Sequence, residues 1–483
     1  MEDVLALAAF TASLYLLGKA FELLRLPALL GELAAGVVLG PHGVGLLSSS
    51  MVSSLKVAGQ VGLLLMVLEG GLSMEVSVLR QQGVRAVVLA LTGTVLPVLL
   101  GWATMAALGA DDLASVAAGT ALSSTAIGFT LRLMTDLKLL ETKQGQLITA
   151  AAMLDDVFSL VLLAMLRSLQ PDEEGDLDVD AWLLIRPLVA SGGVFVAGLL
   201  YAALTGRADA ALRSSSSGGA SSDGEGGADA GAFTASKRLR GRIRDWLRSP
   251  AVTLATMLGG GVLLSWAADA AYSSSLLGAF CAGTAFCFLP HARDSWATSV
   301  APLQAWLSRL FFGATVAFEV PLGALVRAEA VGDGMAMTVA AIVGKFLSGA
   351  WAAPLFSRSG GGGVGGGGGG GGCGGRAFWV AWLQVGCAMI GRGELGFVLA
   401  TESLDAEMLN QRQYCATVWA LLLATLLGPC AFRLSLLVPS TPPPSPAAAL
   451  STRASSTTAT EAVVVGCSPS PSLTASGSRR VTP

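Results

Sequence analysis

Two adjacent aspartates, Asp155 and Asp156, stand in the middle of an apolar stretch that runs from Gly145 to Arg167. That stretch is long enough to cross a bilayer at roughly 20 apolar residues per span. A carboxylate at membrane depth costs roughly 2.5–3.5 kcal/mol on insertion scales, so a neighbouring pair is expensive and calls for a purpose. Inside a membrane, such acids can bind a proton or a small cation in transit. Lys345 is another deep charge, near the centre of the apolar segment 334–356. A lone lysine there needs a carboxylate partner, and Asp155 and Asp156 lie at matching depth. Adjacent helical residues point about 100° apart. One aspartate can therefore pair with Lys345 while its neighbour faces a water-filled cavity.

Two more constellations sit inside apolar segments. Ser123, Ser124 and Thr125 lie near the middle of 113–136. Their hydroxyls can satisfy backbone groups freed by a helix break, coordinate a desolvated cation, or simply pack helix against helix. Gly391-Arg392-Gly393-Glu394 lies within 378–402, where two glycines around a charge pair suit an interrupted helix. Arg392 and Glu394 can also neutralise each other as a local ion pair.

The elements that hold these groups are read from hydropathy. The chain is 53% hydrophobic and 13% charged, against about 25% charged for soluble domains. Continuous Leu/Ala/Val/Gly blocks, without period-2 alternation, predict an all-α polytopic membrane protein and not a β-barrel. The spans read as 3–20, 28–41, 53–72, 84–108, 113–136, 145–168, 182–205, 251–269, 275–290, 302–325, 334–356, 378–402 and 413–437, about thirteen transmembrane helices. The chain opens Met-Glu-Asp and passes directly into the first of them, without the pattern of a secretory leader. Lys and Arg concentrate in alternate loops, with Arg80, Arg85, Lys138, Lys143, the run Lys237 to Arg248, Arg293 and Arg376 on one side. The positive-inside rule makes that side cytoplasmic, placing the N-terminus outside and the C-terminus inside; which membrane houses the chain is left open.

Net charge is −3, which makes no case for nucleic acid. The seven cysteines show no CxxC spacing and there are only two histidines, so no resident metal, cofactor or disulfide frame is expected. No nucleophile–base arrangement points to an enzyme. Residues 1–205 form a first repeat with a linking helix, and 206–250 a low-complexity, basic cytoplasmic linker. The end of that linker reads either as an interfacial helix or as a plain basic flank. Residues 251–437 form a second repeat, with a glycine-rich connector at 359–375. Residues 438–483 are Pro/Ser/Thr-rich, a disordered tail with no room for a nucleotide-binding domain.

The two repeats are visible as a pattern. Leu29-Leu30-Gly31, Ala35-Gly36 and Pro41-His42 recur in order as Leu276-Leu277-Gly278, Ala282-Gly283 and Pro290-His291. The next helix of each copy carries a late acid, Glu69 or Glu319. Six helices repeated across one linking helix insert in opposite senses, giving two inverted six-helix repeats whose fifth helices are discontinuous.

GELAAGVVLGPHGVGLL (31–47), the segment 121–158 with its Asp-Asp pair, GAFCAGTA (278–285), RLFFGATVAFEV (309–320), the Lys345 helix and GRGELGFVLA (391–400) together resemble the monovalent cation:proton antiporter superfamily. The resemblance covers roughly residues 1–437. It implies an elevator-type antiporter, usually a homodimer, that exchanges Na+, Li+ or K+ for H+ by alternating access, with crossed discontinuous helices. It also implies Asp156 as the cation- and proton-binding carboxylate, and Asp155 as the salt-bridge partner of Lys345. Ser124 and Thr125 match the first crossing helix, Arg392 and Glu394 the second. The Asp-Asp pair leans toward the sodium-type branch, with a potassium exchanger as the alternative. A non-transporting membrane scaffold is a further reading, disfavoured by the retained intramembrane charges. An organic-anion symporter is disfavoured because two aspartates repel an anion. Glu69 stands where the family often has a small residue.

Overall fold

The computed structural model describes residues 1–24, 26–126, 131, 134, 135, 138–169, 181–217, 249–352 and 371–438, and every element among them is helical. The first half contains α1 (Glu2–Leu23), α2 (Ala28–Leu39), α3 (Ser49–Leu72), α4 (Val76–Gln82), α5 (Val84–Ala107), α6 (Asp112–Ala121) and α7 (Lys143–Ser168), followed by α8 (Ala181–Ser217). The second half contains α9 (Pro250–Ala270), α10 (Ser275–Thr284), α11 (Pro290–Ser299), α12 (Ala301–Leu310), α13 (Leu322–Leu325), α14 (Ala328–Ser348), α15 (Gly371–Ala388), α16 (Glu394–Asp405) and α17 (Gln411–Ser435). Between α12 and α13 the chain passes through a π-helical stretch, Phe311–Val316, and a 3-10 turn, Ala317–Glu319. Among the described residues, eight helices are long and apolar enough to cross a membrane. Ala28–Leu39, Ser275–Thr284 and Phe378–Ala388 are shorter apolar helices.

Local chemistry explains many of the boundaries. Asp111 accepts from the Ala114 N–H at the start of α6, and Thr142 from the Gly145 N–H at the start of α7. Asn410 and Gln413 form a reciprocal capping box at the start of α17. Gly83 separates α4 from α5 at φ +50°, where a side chain would be strained. Along α5 the exposed residues Val87, Leu91, Val95 and Leu99 recur every four positions. That spacing makes one lipid-type face and turns Ala86, Leu89, Ala90, Gly93 and Thr94 inward.

The helices pack in two sets. α1, α2, α3, α9, α10 and α12 gather in one; α5, α6, α7, α14, α15, α16 and α17 gather in the other. Within the first set the two halves interlock reciprocally. A Cβ on Gly36 of α2 would strike the Gly313 carbonyl oxygen, and one on Gly283 of α10 would strike the Leu68 carbonyl oxygen of α3. Each half thus seats its second helix against the third segment of the other, at a distance only glycine permits. In the second set α5 and α6 cross at Gly101 and Gly119, where backbone meets backbone.

The expected linker and connector differ from the structure at their edges. α8 stays helical to Ser217, twelve residues beyond the expected end of the span at 205, through Ala208–Arg213, a run of good helix formers. α15 begins at Gly371, inside the expected connector 359–375. α11 is a helix that the hydropathy reading missed, because its polar residues place it outside every apolar block. The basic run Lys237 to Arg248, residues 359–370 and the tail from 439 lie outside the described residues, as do 127–130 of the expected fifth span.

The reciprocal seams make a stability prediction. Gly283→Val should destabilise the protein by about 1–3 kcal/mol or more through overpacking. Gly259→Ala, where nothing lies within 4 Å of an added Cβ, should be neutral or slightly stabilising. Thermal unfolding of the detergent-solubilised protein checks both.

Candidate functional site

The crossing point is built from two interrupted helices. α6 ends at Ala121, and residues 124–126 run without helical structure. α15 ends at Ala388, and the chain opens through Ile390–Gly393 before α16 begins at Glu394. The two openings are stitched together by the Ala126 N–H, which donates to the Gly391 carbonyl at 2.8 Å. A Cβ on Gly393 would press on the Thr125 carbonyl at 2.8 Å, so glycine is what lets the strands of chain approach.

Each break leaves helix ends exposed inside the protein, with partial charges that need compensation. Arg392 is fully buried. Its guanidinium donates to the Ala341 carbonyl at 2.5 Å and reaches the Ser123 and Ser124 carbonyls at 3.5 and 3.4 Å. It therefore sits at the negative C-terminal end of α6. Glu394 is the first residue of α16, at that helix's positive end. The local ion pair between Arg392 and Glu394, one of the two readings of that segment, does not form; each charge serves a helix terminus instead. Two residues apart around Gly393, they are drawn to different half-helices, which is the physical reason they part.

Asp155 and Lys345 are fully buried and paired, with Lys345 Nζ 2.9 and 2.8 Å from the two carboxylate oxygens. Asp155 accepts two further bonds, from the Thr94 hydroxyl at 2.7 Å and the Thr125 hydroxyl at 2.5 Å. A buried ion pair repays its desolvation only when extra hydrogen bonds complete it, and here both oxygens are doubly served. Gly93 lies alongside, where an added Cβ would rest 3.7 Å from Lys345 Nζ, an ordinary van der Waals contact. Thr94 escaped the sequence reading, because a single neutral threonine within an apolar helix carries no distinguishing signal.

Asp156 has a different environment. It is half-buried and accepts no hydrogen bond from a described residue. It lines a cavity of ≈ 280 Å³ together with Glu69, Ser73, Thr125, Glu394 and the apolar side chains of Met66, Val67, Leu160, Phe280 and Leu395. The lining includes three carboxylates and, among the described residues, no lysine, arginine or histidine. Ser124 is fully buried beside Gly396, its hydroxyl without a partner, and it does not line the cavity. The structure thus brings Asp155, Thr125 and Lys345 into one network, and Asp156, Thr125 and Glu394 around one cavity. Arg392 and Ser124 stand behind them at the crossing. No group of three or more His, Cys, Asp or Glu among the described residues is arranged to hold a metal ion.

The family model for the transmembrane sodium/hydrogen exchanger matches residues 8–218 and 230–436. The high-affinity Na(+)/H(+) antiporter NhaS3 of Synechocystis is 24% identical over 444 residues, covering 84% of this chain and 84% of that protein. Cation/H(+) antiporter 15 of Arabidopsis thaliana is 31% identical over 187 residues, or 36% of this chain and only 22% of the longer relative. The sodium proton antiporter MjNhaP1 from Methanocaldococcus jannaschii superimposes with a TM-score of 0.61 at 18% identity, covering 91% of this chain and 99% of that one. That likeness concerns the fold.

The buried pair predicts a pattern of stabilities. Lys345→Met alone strands Asp155 and should cost about 3–5 kcal/mol, whereas Asp155→Leu with Lys345→Met should recover most of that loss. Equal destabilisation in both variants, read from thermal unfolding in detergent, would contradict the pairing.

Proposed function

Because this chain belongs to the sodium/hydrogen exchanger family, whose members are transporters and not enzymes, we propose that it exchanges Na+ for H+ across a membrane by alternating access. Asp156 is the group that takes turns holding the two ions. The observation that carries this reading is the contrast between the two aspartates. Asp155 is saturated by Lys345, Thr94 and Thr125, while Asp156 opens onto the cavity with its oxygens unclaimed. A carboxylate at membrane depth is costly when it is both charged and empty. It therefore takes either a proton or a cation, and the two exclude each other from the same oxygens. Cavity-lining Thr125 and the carbonyl-rich crossing supply further oxygen atoms for a hard, partly dehydrated cation.

The same reading assigns parts to the rest of the site. Lys345 and Asp155 keep one positive charge and one negative charge beside Asp156, so that loading Asp156 decides the net charge of the moving part. Arg392 and Glu394 hold the half-helix ends in register at the crossing. The inverted six-helix halves provide two related conformations, and the set carrying α5–α7 and α14–α17 slides against the set carrying α1–α3 and α9–α12 in an elevator motion. In the orientation with basic loops inside, the cavity lies toward the cytoplasmic end of α3, marked by Ser73.

Proteoliposomes test this directly. A sodium gradient should drive proton flux in the unmodified protein, and Asp156→Asn should abolish it while leaving thermal stability largely intact. Normal exchange by Asp156→Asn would end the assignment. A panel of Na+, Li+, K+ and Rb+ under the same conditions identifies the cation, and preference for K+ would move the chain to the potassium-exchanging reading.

A further inference from the structure

The acids near membrane depth in the first helical set are treated unequally. Glu319, the repeat counterpart of Glu69, forms an ion pair with Lys56. Glu32 pairs with Arg309, its Oε1 lying 3.2 Å from the guanidinium Nε. Glu402, in the other set, pairs with Arg167 at 2.8 Å. Glu69 has no lysine or arginine partner among the described residues. Its Oε2 instead accepts from the Gln304 side-chain amide at 2.5 Å. Arg293, on α11 nearby in the chain, is committed to the Leu72 and Met74 carbonyls at the end of α3, at 3.2 and 3.1 Å.

Gln304 does not choose its orientation freely. Its Oε1 accepts from the indole N–H of Trp296 at 3.1 Å. Gln304 is 5% exposed and Trp296 2%. An indole N–H can only donate, so the amide oxygen must face Trp296 and the NH2 must face Glu69. The relay Trp296–Gln304–Glu69 is thus polarised in one direction. It joins α11, α12 and α3, and it ends on a carboxylate that lines the same cavity as Asp156. A neutral donor orients a charge without cancelling it, whereas a lysine in that place would do both.

We propose that Gln304, itself oriented by Trp296, is a positioning residue that holds the Glu69 carboxylate toward the cavity with its charge uncancelled, so that the mouth of the site concentrates cations. A cleft lined by one sign of charge between low-dielectric walls focuses the field and raises the local concentration of the opposite ion. The effect belongs to capture, and so to KM; turnover at saturating cation depends on Asp156 and the moving helices. This inference rests on the exchanger reading above and adds a determinant of its cation affinity.

Sodium-dependent proton flux in proteoliposomes of the full chain, read as KM and kcat, is the test, with unmodified protein in parallel. Gln304→Lys supplies a counter-charge, and should raise the sodium KM about tenfold with kcat little changed. The difference should narrow as choline chloride raises the ionic strength, because screening weakens field effects and not local misfolding. Trp296→Phe keeps the ring, removes the donor, and should give a smaller rise in KM. A sodium KM for Gln304→Lys equal to that of the unmodified protein overturns the proposal, as does a fall in kcat with KM unmoved or a KM shift insensitive to ionic strength. Should Gln304→Lys fail to fold, Trp296→Phe decides alone: an unaltered KM in that variant overturns it. Absence of exchange by the unmodified protein is a separate outcome, which defeats the exchanger reading and with it the capture role built on it.

Discussion

The four-way clasp on Asp155 is the constraint around which the second set of helices is arranged. A carboxylate and an ammonium removed from water together lose several kcal/mol each in solvation, and their attraction recovers this only in good geometry. Thr94 from α5, Thr125 from the break after α6 and Lys345 from α14 all converge on the one acid of α7. Four separate elements are thereby tied at a single point. None of the four can shift against the others without leaving a buried polar group unserved. Gly101, Gly119 and Gly344 are the sterically enabling half of the same arrangement, since each lets a neighbouring helix come close enough.

The crossing has a related logic. Breaking two helices inside a protein exposes backbone amides and carbonyls that a membrane interior would not solvate. The protein answers with Arg392 at the carbonyl end of α6, Glu394 at the amide end of α16, and a backbone hydrogen bond between the two openings. The cost of irregular backbone is met locally, and what remains is a polar spot adjacent to Asp156. The contrast between its saturated neighbour and its own free oxygens is a product of geometry: consecutive positions on α7 look into different surroundings.

What could be read from the chain alone follows from energetics. Asp155, Asp156, Lys345 and Arg392 stand out because each is anomalous in apolar sequence, and an anomaly of several kcal/mol needs an explanation. The breaks were legible through Gly391 and Gly393, and the glycines of the recurring pattern prove to be helix–helix contacts. Thr94, Gln304 and Trp296 were not legible, because neutral residues of those types are unremarkable in a membrane helix or beside one. The separation of Arg392 from Glu394 was hidden as well; nearness in sequence suggested a pair, and only the three-dimensional placement of two helix ends shows why the charges part. Helix α11 was lost for lack of an apolar block, and α8 outran its expected end because alanine-rich sequence continues the helix after hydropathy has faded.

The π-helical stretch Phe311–Val316 sits between the two polar anchors of its span, Gln304 before it and Glu319 after it. A π turn is equivalent to one residue inserted into an α-helix, and one residue is worth about 100° of rotation. The stretch therefore works like a vernier: it sets the azimuth of Glu319 toward Lys56 independently of the azimuth of Gln304 toward Glu69. Loss of a single residue there would swing one anchor away from its partner and leave the other in place.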